Sequence, residues 1–396
     1  LDLKRPVVEL LMLSNFAEVF LAKEGHSGQV GINYLEKINF PTLPSLLGAM
    51  LAGVNFILMG GGIPLAIPGV LDSLANWEPV ELSAPAEDNP DHQAYTQTLD
   101  PREICPEPLP ALERPKFLAI IASDILAKTL VRRATGKIDG FIVEGHIAGG
   151  HNAPPRSVDK SGDKPLPYYG ERDIPDMQKI RDLGLPFWMA GGWCSPERLE
   201  EALALGACGV QMGTAFAYSE DSGILPEIKA EVRNLCIDGT PEVKTDFLAS
   251  PTGYPFKLLE TVNSPPVITG ENARERICDL GYLRHMYHVD GASPRYRCPS
   301  EPIDQYIAKG GTMEQTEGKQ CLCNGLLATA GLGQPRDHGM EAPLVTSGDD
   351  LGIVTHLVKN VAFDYSAKDV IEYMLGTEVI ADESMQEAVP AKPVVA

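Results

Sequence analysis

Residues 185–214, LPFWMAGGWCSPERLEEALALGACGVQMGT, decide the fold class. Two apolar runs in this stretch end in glycine turns, the first at residues 190–192 and the second at residues 211–214. Between the turns, Ser195 predicts a helix N-cap and Pro196 the first helical position, with a glycine just past the end of the helix. The stretch therefore predicts a strand, a glycine turn, a helix, a second strand and a second glycine turn.

The two glycine turns predict a phosphate site. Glycine allows the backbone to approach a ligand closely, and the free N–H groups at a helix start favour an anion. Two such turns on neighbouring parallel strands form a cradle, which in (β/α)8 barrels usually follows strands 7 and 8. We therefore expect the phosphate group of a bound ligand at this end of the sheet.

Apolar runs that alternate with helical patterns occur along the first 220 residues. Besides the two strands of the opening stretch, four strands are predicted near residues 30, 57, 119 and 142. Strands that alternate with helices indicate βαβ units and a parallel sheet. The sequence thus predicts an α/β fold, a (β/α)8 TIM barrel whose first one or two strands are expected upstream of residue 1. An open parallel sheet is the alternative. In that case the count of six strands does not imply further strands upstream of residue 1.

The alternation of strands and helices stops in the second half of the chain, and this divides the sequence. We predict a barrel domain over residues 1–222, with an insertion rich in Pro, Asp and Glu at residues 76–115. Residues 223–386 are predicted to form an irregular C-terminal extension with a helix near residues 370–375. The last segment, residues 387–396, is predicted to be a disordered tail.

The composition restricts the partners of this chain. It has 396 residues and a net charge of -21, which argues against nucleic acid and anionic membranes as partners. No apolar run reaches the roughly 18 residues of a membrane helix. Eight cysteines in a chain of this length do not suggest a disulfide scaffold, so we expect a reducing compartment and a cytoplasmic protein. Homo-oligomerisation is left open.

A chemical group follows the strand predicted near residue 142. Glu144 directly follows this strand, which is predicted to end at Val143, and Gly149 and Gly150 come shortly before His151. Catalytic groups collect at this end of barrel strands, and a neutral histidine is a natural proton acceptor near pH 7. We therefore predict that His151 is a general base, the alternative being a loop histidine bonded to backbone. Glu144 either bonds a cofactor ring or bonds the neighbouring strand.

Taken together, the motifs resemble those of the nitronate monooxygenases, formerly called 2-nitropropane dioxygenases. These are FMN-dependent TIM-barrel enzymes related to the flavin-dependent enoyl-ACP reductases. The matching segments lie at Gly31-Ile32-Asn33, Met59-Gly60-Gly61-Gly62-Ile63-Pro64, Glu144-Gly145, Ala148-Gly149-Gly150-His151, Ala190-Gly191-Gly192 and Gly209-Val210-Gln211-Met212-Gly213-Thr214.

The resemblance implies a cofactor, FMN, and a set of site residues. His151 matches the active-site histidine of the family. Ile147 departs from the pattern, because relatives often carry Glu there, and this predicts a different substrate polarity. The residues that the resemblance assigns to FMN binding are Ser123, Glu144, Gly149, Gly150, Ala190, Gly191, Gly192, Gln211, Gly213 and Thr214.

The activity implied by the resemblance is oxidation of an alkyl nitronate by O2 to a carbonyl compound and nitrite. The alternatives are a flavin-dependent NAD(P)H reductase of enoyl thioesters and a non-catalytic binding module with a flavin-type fold. The expected partners are therefore a small-molecule substrate, either a nitronate or an enoyl thioester, and O2.

Four cysteines lie in the C-terminal third. Four thiolates are able to hold zinc in a tetrahedral site, but a Cys-x-Cys spacing is less typical of zinc than Cys-x2-Cys. Buried reduced thiols are therefore the preferred interpretation, and no metal is predicted. The four residues are Cys278, Cys298, Cys321 and Cys323.

Overall fold

A parallel β-sheet with helices between its strands forms the centre of the N-terminal half. Its strands and the other elements are taken from a computed structural model of the chain. The structure describes residues 3–90, 95–105, 107, 109–161, 165–261, 274–337 and 339–377.

The elements follow one another along the chain as short strands and helices of up to 18 residues. The strands are β1 Gly31–Leu35, β2 Phe56–Gly60, β3 Val80–Ala84, β4 Tyr95–Leu99, β5 Lys116–Ile121, β6 Gly140–Glu144, β7 Ser157–Asp159, β8 Leu166–Tyr168, β9 Phe187–Ala190, β10 Val210–Gln211, β11 Val243–Asp246, β12 Phe256–Leu259, β13 His285–Tyr287, β14 Arg295–Arg297, β15 Pro335–Arg336 and β16 Gly339–Met340. The α-helices are α1 Arg5–Ala22, α2 Thr42–Leu51, α3 Ile67–Ala75, α4 Pro101–Ile104, α5 Asp124–Arg133, α6 Met177–Arg181, α7 Pro196–Ala204, α8 Thr214–Ala217, α9 Pro226–Asp238, α10 Ile303–Ala308, α11 Met313–Thr316, α12 Leu322–Thr329, α13 Gly352–Asn360 and α14 Ala367–Met374.

The central sheet has six parallel strands in the order β1-β2-β5-β6-β9-β10. The order in space equals the order in the sequence, which is how consecutive strands are arranged in a (β/α)8 barrel. All six predicted strands are present, so the predicted α/β fold of barrel type is confirmed. Strands upstream of residue 1 stay a prediction.

The two faces of the sheet bury different residues, because successive side chains of a strand point to opposite sides. Phe117, Phe141 and Phe187 belong to the large core between the sheet and its helices, and all three are buried. On the opposite face, Leu118 and Ile142 belong to a separate small apolar cluster. Both faces are therefore apolar, which explains why the strands have near-continuous apolar sequences.

The helix of the opening stretch begins as predicted. Ser195 is the N-cap of α7, and its Oγ accepts a hydrogen bond from Arg198 N at 3.2 Å. Pro196 occupies the first helical position. The N-cap and proline signals therefore place the start of this helix correctly.

Two segments outside the central sheet contain hairpins. The predicted insertion at residues 76–115 includes β3 and β4, which pair antiparallel. The segment after β6 includes the antiparallel pair of β7 and β8. The short helix α6 then precedes β9.

The C-terminal extension contains helices besides the one predicted near residues 370–375, which is present as α14. Helix α9 has 13 residues and buries Ile228, Val232 and Cys236, which are four residues apart and so share one face. These side chains join a second apolar cluster that also contains Ala215 and Tyr218. This cluster thus crosses the predicted boundary at residue 222, and the domain division stays a prediction. The predicted tail at residues 387–396 lies outside the described residues.

Helix α1 packs on α2 through a close contact at Gly48. The buried side chains of α1 are Val8, Met12 and Val19. A Cβ atom at Gly48 would overlap the carbonyl oxygen of Met12 and lie 2.8 Å from its carbonyl carbon.

Within the described ranges, no helix combines the length and the apolar character that crossing a membrane requires.

We predict that Gly48→Ala destabilises the fold. The added methyl group meets backbone atoms of α1, which are unable to move as a side chain does, and overpacking typically costs about 1–3 kcal/mol. The higher helix propensity of alanine, worth roughly 1 kcal/mol, offsets only part of this cost. Urea unfolding followed by circular dichroism measures the change. Gly223→Ala is the matched control, since no heavy atom lies within 4 Å of a Cβ at that position. Equal stability of the two variants would contradict the close contact.

Candidate active site

Three predicted site residues meet at one edge of the sheet. Glu144 pairs in register with Ala190, and Ala190 pairs with Gln211. All three lie at the carboxyl ends of their parallel strands, where ligands of such sheets bind. The loops that follow these strands therefore start from a common position.

The first glycine turn packs against protein backbone. Gly191 and Gly192 have φ values of 80° and 78°, a region that glycine adopts without strain. A Cβ at Gly191 would lie 2.8 Å from Gly145 O and 2.9 Å from Ala148 N. Gly191 is thus needed for contact with the loop after β6, a role that the predicted phosphate cradle does not include.

The second glycine turn leaves open space. No heavy atom lies within 4 Å of a Cβ built at Gly213. The same holds at Gly150, whose φ is 75°. These two positions are the parts of the predicted FMN site at which room for a ligand exists.

A segment of the C-terminal third completes this edge, and sequence reasoning missed it. Gly348 N donates a hydrogen bond to Thr214 Oγ1 at 3.0 Å, and Gly150 N donates one to Thr346 Oγ1 at 2.9 Å. Gly149 approaches the same segment, because its Cβ would lie 2.9 Å from Gly348 N. The short Thr-Ser-Gly-Asp sequence at residues 346–349 is the signal that could have identified it.

His151 is held by a buried serine. Its Nε2 atom lies 2.7 Å from Ser250 Oγ, and Ser250 Oγ lies 2.7 Å from Thr252 Oγ1. The ring of His151 packs edge-on against Phe256, with 4.8 Å between the ring centroids. Burial, together with the charge of Lys37, lowers the pKa of His151 to about 4. The imidazole is therefore neutral at pH 7.

Lys37 places a positive charge near the histidine. Its Nζ donates a hydrogen bond to Thr252 O at 2.7 Å and lies 4.3 Å from the centroid of the Tyr254 ring. Burial lowers the pKa of Lys37 from its usual value. Sequence reasoning missed Lys37, Ser250 and Thr252, although the Pro/Gly-rich sequence from residue 250 to 255 indicates a turn.

Glu144 has an unusual environment for a carboxyl group. It lines a small cavity together with Ala122, His146, Arg156 and Tyr169. Burial raises the pKa of Glu144 to about 7. The carboxyl group is thus about half protonated at neutral pH, and it is able to donate as well as accept a hydrogen bond.

Ser123 and His146 have local partners. Ser123 caps α5, and its Oγ accepts a hydrogen bond from Leu126 N at 3.1 Å. His146 stacks on Tyr169 with 4.5 Å between the ring centroids. The role of Ser123 in cofactor binding stays a prediction, and the observed cap is sufficient to account for the residue.

Open space and an unpaired buried polar atom at this edge fit a bound flavin nucleotide, whereas the packing of the first glycine turn does not. Gly213 and Gly150 leave open space, and the Oδ1 atom of Asn152 is buried with no hydrogen-bond partner. Gly191 instead contacts the loop after β6. Among the described residues, no group of three or more His, Cys, Asp or Glu side chains is arranged to hold a metal ion.

One family model and two known proteins match this chain, and two of these three descriptions name a nitronate monooxygenase. Residues 110–270 match the family model described as nitronate monooxygenase. The (3aS,4S,5R,7aS)-5-hydroxy-7a-methyl-1-oxo-octahydro-1H-indene-4-carboxyl-CoA dehydrogenase of Mycobacterium tuberculosis is 29% identical over 260 residues, which are 62% of this chain and 64% of that protein. A probable nitronate monooxygenase of Staphylococcus saprophyticus is 27% identical over 145 residues, 37% of this chain and 38% of that protein. The chain thus spans less than two thirds of either relative, and each description is that of an oxidoreductase.

Two solved structures are similar over most of the chain. A FabK mutant from Thermotoga maritima has a TM-score of 0.47 and 16% identity, covering 94% of this chain and 87% of that one. The nitroalkane oxidase of Streptomyces ansochromogenes has a TM-score of 0.43 and 14% identity, covering 94% and 76%. Since the family match at residues 110–270 includes Glu144, His151 and both glycine turns, the resemblance to the nitronate monooxygenases that these motifs predict is confirmed.

Proposed function

We propose that this chain is an FMN-dependent oxidoreductase that oxidises alkyl nitronates with O2 to a carbonyl compound and nitrite. The observation that carries the proposal is the neutral, half-buried His151, which is held by Ser250 and directly follows the open position at Gly150. The family match over residues 110–270 supports the reaction class. A cation also suits an anionic substrate such as a nitronate, and Lys37 supplies one close to His151.

FMN, when bound, supplies the electron transfer to O2. Gly213 and Thr214 are the residues proposed to hold its phosphate, because their turn leaves open space. Glu144 and Gln211, at the ends of the two strands that flank β9, are proposed to contact the flavin ring. A carboxyl group with a pKa near 7 is able to exchange a proton with a ring nitrogen at neutral pH.

His151 is proposed to take a proton from the carbon next to the nitro group of a neutral nitroalkane. When Nε2–H donates to Ser250 Oγ, the lone pair of Nδ1 is free to accept this proton. Lys37 stabilises the anion that the proton transfer creates.

A second candidate function has an observation in its favour. One relative is described as a dehydrogenase of a carboxyl-CoA compound, that is, of a thioester. The same edge of the sheet would then serve a reductase of enoyl thioesters that uses NAD(P)H. Steady-state assays with a nitronate under O2, and with an enoyl thioester and NAD(P)H, separate the two. A purified protein without flavin absorbance that does not bind added FMN would support a non-catalytic module.

We predict that His151→Asn keeps FMN and loses activity on a neutral nitroalkane. A positioned general base contributes about 10²–10⁴-fold to the rate, so kcat should fall by roughly that factor. Preformed nitronate needs no deprotonation and should lose much less. Oxygen consumption with both forms of the substrate measures this. Equal losses would mean that His151 orients the substrate, and no loss would remove it from the site.

The pH dependence of deprotonation follows from the lowered pKa of His151. A base with a pKa of about 4 stays neutral down to that pH, so kcat/KM for a neutral nitroalkane should fall only near pH 4. Glu144 titrates near pH 7, and the profile is therefore measured in parallel with Glu144→Gln, which removes that contribution. An acid limb near pH 6.5 in the Gln variant would contradict a serine-held base with a lowered pKa.

We predict that Gly213→Leu abolishes FMN binding while the protein stays folded. No heavy atom lies within 4 Å of the Cβ position, so the side chain starts in open space, where we propose that the phosphate lies. Equilibrium titration with FMN measures the affinity. Gly223→Leu is the control, since its surroundings are equally open but it lies outside the strand-end edge. Unchanged FMN affinity in Gly213→Leu would exclude this phosphate site.

A further inference from the structure

Three segments of the C-terminal third converge and bring four cysteines together. Arg276 Nη1 donates a hydrogen bond to Pro299 O at 2.9 Å. Ser300 Oγ donates one to Gln320 O at 2.6 Å. Each of these residues lies within two positions of a cysteine. The residues brought into one region are Cys278, Cys298, Cys321 and Cys323, and all are free thiols.

Two of the four thiols are in direct contact. The side chains of Cys321 and Cys323 are hydrogen-bonded to each other, and both residues are partly exposed. Cys321 is the N-cap of α12, with φ -76° and ψ 84°, and Cys323 lies in the first turn. Side chains two apart in a helix diverge, so the non-helical backbone of the N-cap is what allows contact. In a helical turn, Cα atoms two residues apart are about 5–6 Å from each other, within the range of disulfides.

The two sulfur atoms are chemically unequal. The hydrogen bond from Cys321 lowers the pKa of Cys323, and the backbone N–H groups of Leu283 and Tyr282 add to this effect against the cost of burial. The same contact, together with burial, raises the pKa of Cys321. Cys323 is thus the more acidic of the two thiols, and Cys321 is the adjacent thiol. Redox-sensitive sites have this combination of a partly exposed nucleophile and a second cysteine beside it.

We propose that Cys321 and Cys323 form a peroxide-reactive dithiol that closes reversibly to a disulfide. The Cys323 thiolate attacks one oxygen of hydrogen peroxide, the O–O bond breaks, and the leaving hydroxide takes up a proton to give water. The resulting sulfenic acid reacts with the Cys321 sulfur; the S–S bond forms, the S–O bond breaks, and a second water leaves. The dithiol loses two electrons and two protons, and the peroxide is reduced to two water molecules. An external thiol reverses the reaction.

The proposed dithiol lies next to the chain that holds the candidate base. Gln320 N donates a hydrogen bond to Ala249 O, and Lys319 Nζ donates one to Ser250 O, both at 2.9 Å. Ser250 is the partner of His151. The disulfide itself does not depend on the proposed function, because it requires only the two thiols and a peroxide.

The test uses the full chain, reduced and freed of reductant. On treatment with hydrogen peroxide, we expect the loss of two titratable thiols per chain, a mass lower by two hydrogen atoms and a peptide that contains the Cys321–Cys323 disulfide. Dithiothreitol should restore both thiols. Cys323→Ser should form no disulfide, and Cys321→Ser should give a sulfenic acid that dimedone traps. Cys208→Ser, which removes an exposed cysteine, should behave like the unmodified chain.

Peptide mapping of the unmodified chain tests for the Cys321–Cys323 disulfide even where a variant fails to fold. Two results would overturn the proposal. One is that peroxide leaves both thiols titratable or joins other cysteines. The other is that the purified chain contains one zinc ion, lost in Cys323→Ser, and that its thiols resist peroxide. The cysteines would then be metal ligands.

Discussion

Close contact between backbones around residues 145–150 holds the N-terminal sheet and the C-terminal third together. On one side, Gly191 approaches the loop so closely that its Cβ would lie 2.8 Å from Gly145 O. On the other side, Gly149 approaches Gly348 in the same way. A side chain at either glycine would separate the layers. Because the loop carries His151, the position of the candidate base depends on contacts that only glycine permits.

Burial sets the charges of the candidate site. Desolvation disfavours the charged form of every ionisable group, so it raises the pKa of Glu144 and lowers that of His151. At neutral pH the edge therefore contains a neutral imidazole, a partly protonated carboxyl group and the cation of Lys37. Such a set is able to accept a proton and to stabilise an anion, which is the requirement of deprotonation next to a nitro or carbonyl group.

The chain after residue 222 has two roles that its sequence does not reveal. It supplies Ser250 to His151 and Thr346 to Gly150. It also covers the helices after β10, where Ala215 and Tyr218 join its apolar cluster. The chain beyond the last sheet strand is therefore part of the candidate site and not an appendage to it. The cysteine pair belongs to the same region, two residues from Lys319.

The sequence by itself determined the local elements and the sheet to which they belong. Ser195 and Pro196 mark the start of α7 because capping depends only on neighbouring residues, and apolar runs bounded by glycine mark the six strands. It also marked Glu144, Ala190 and Gln211, because parallel strands end at one edge. Only the tertiary structure decided the partner of His151, the contact that Gly191 makes and the approach of Gly348 to Thr214. Those contacts join residues about 45 to 135 positions apart, and no periodicity or spacing along the chain encodes which loops meet.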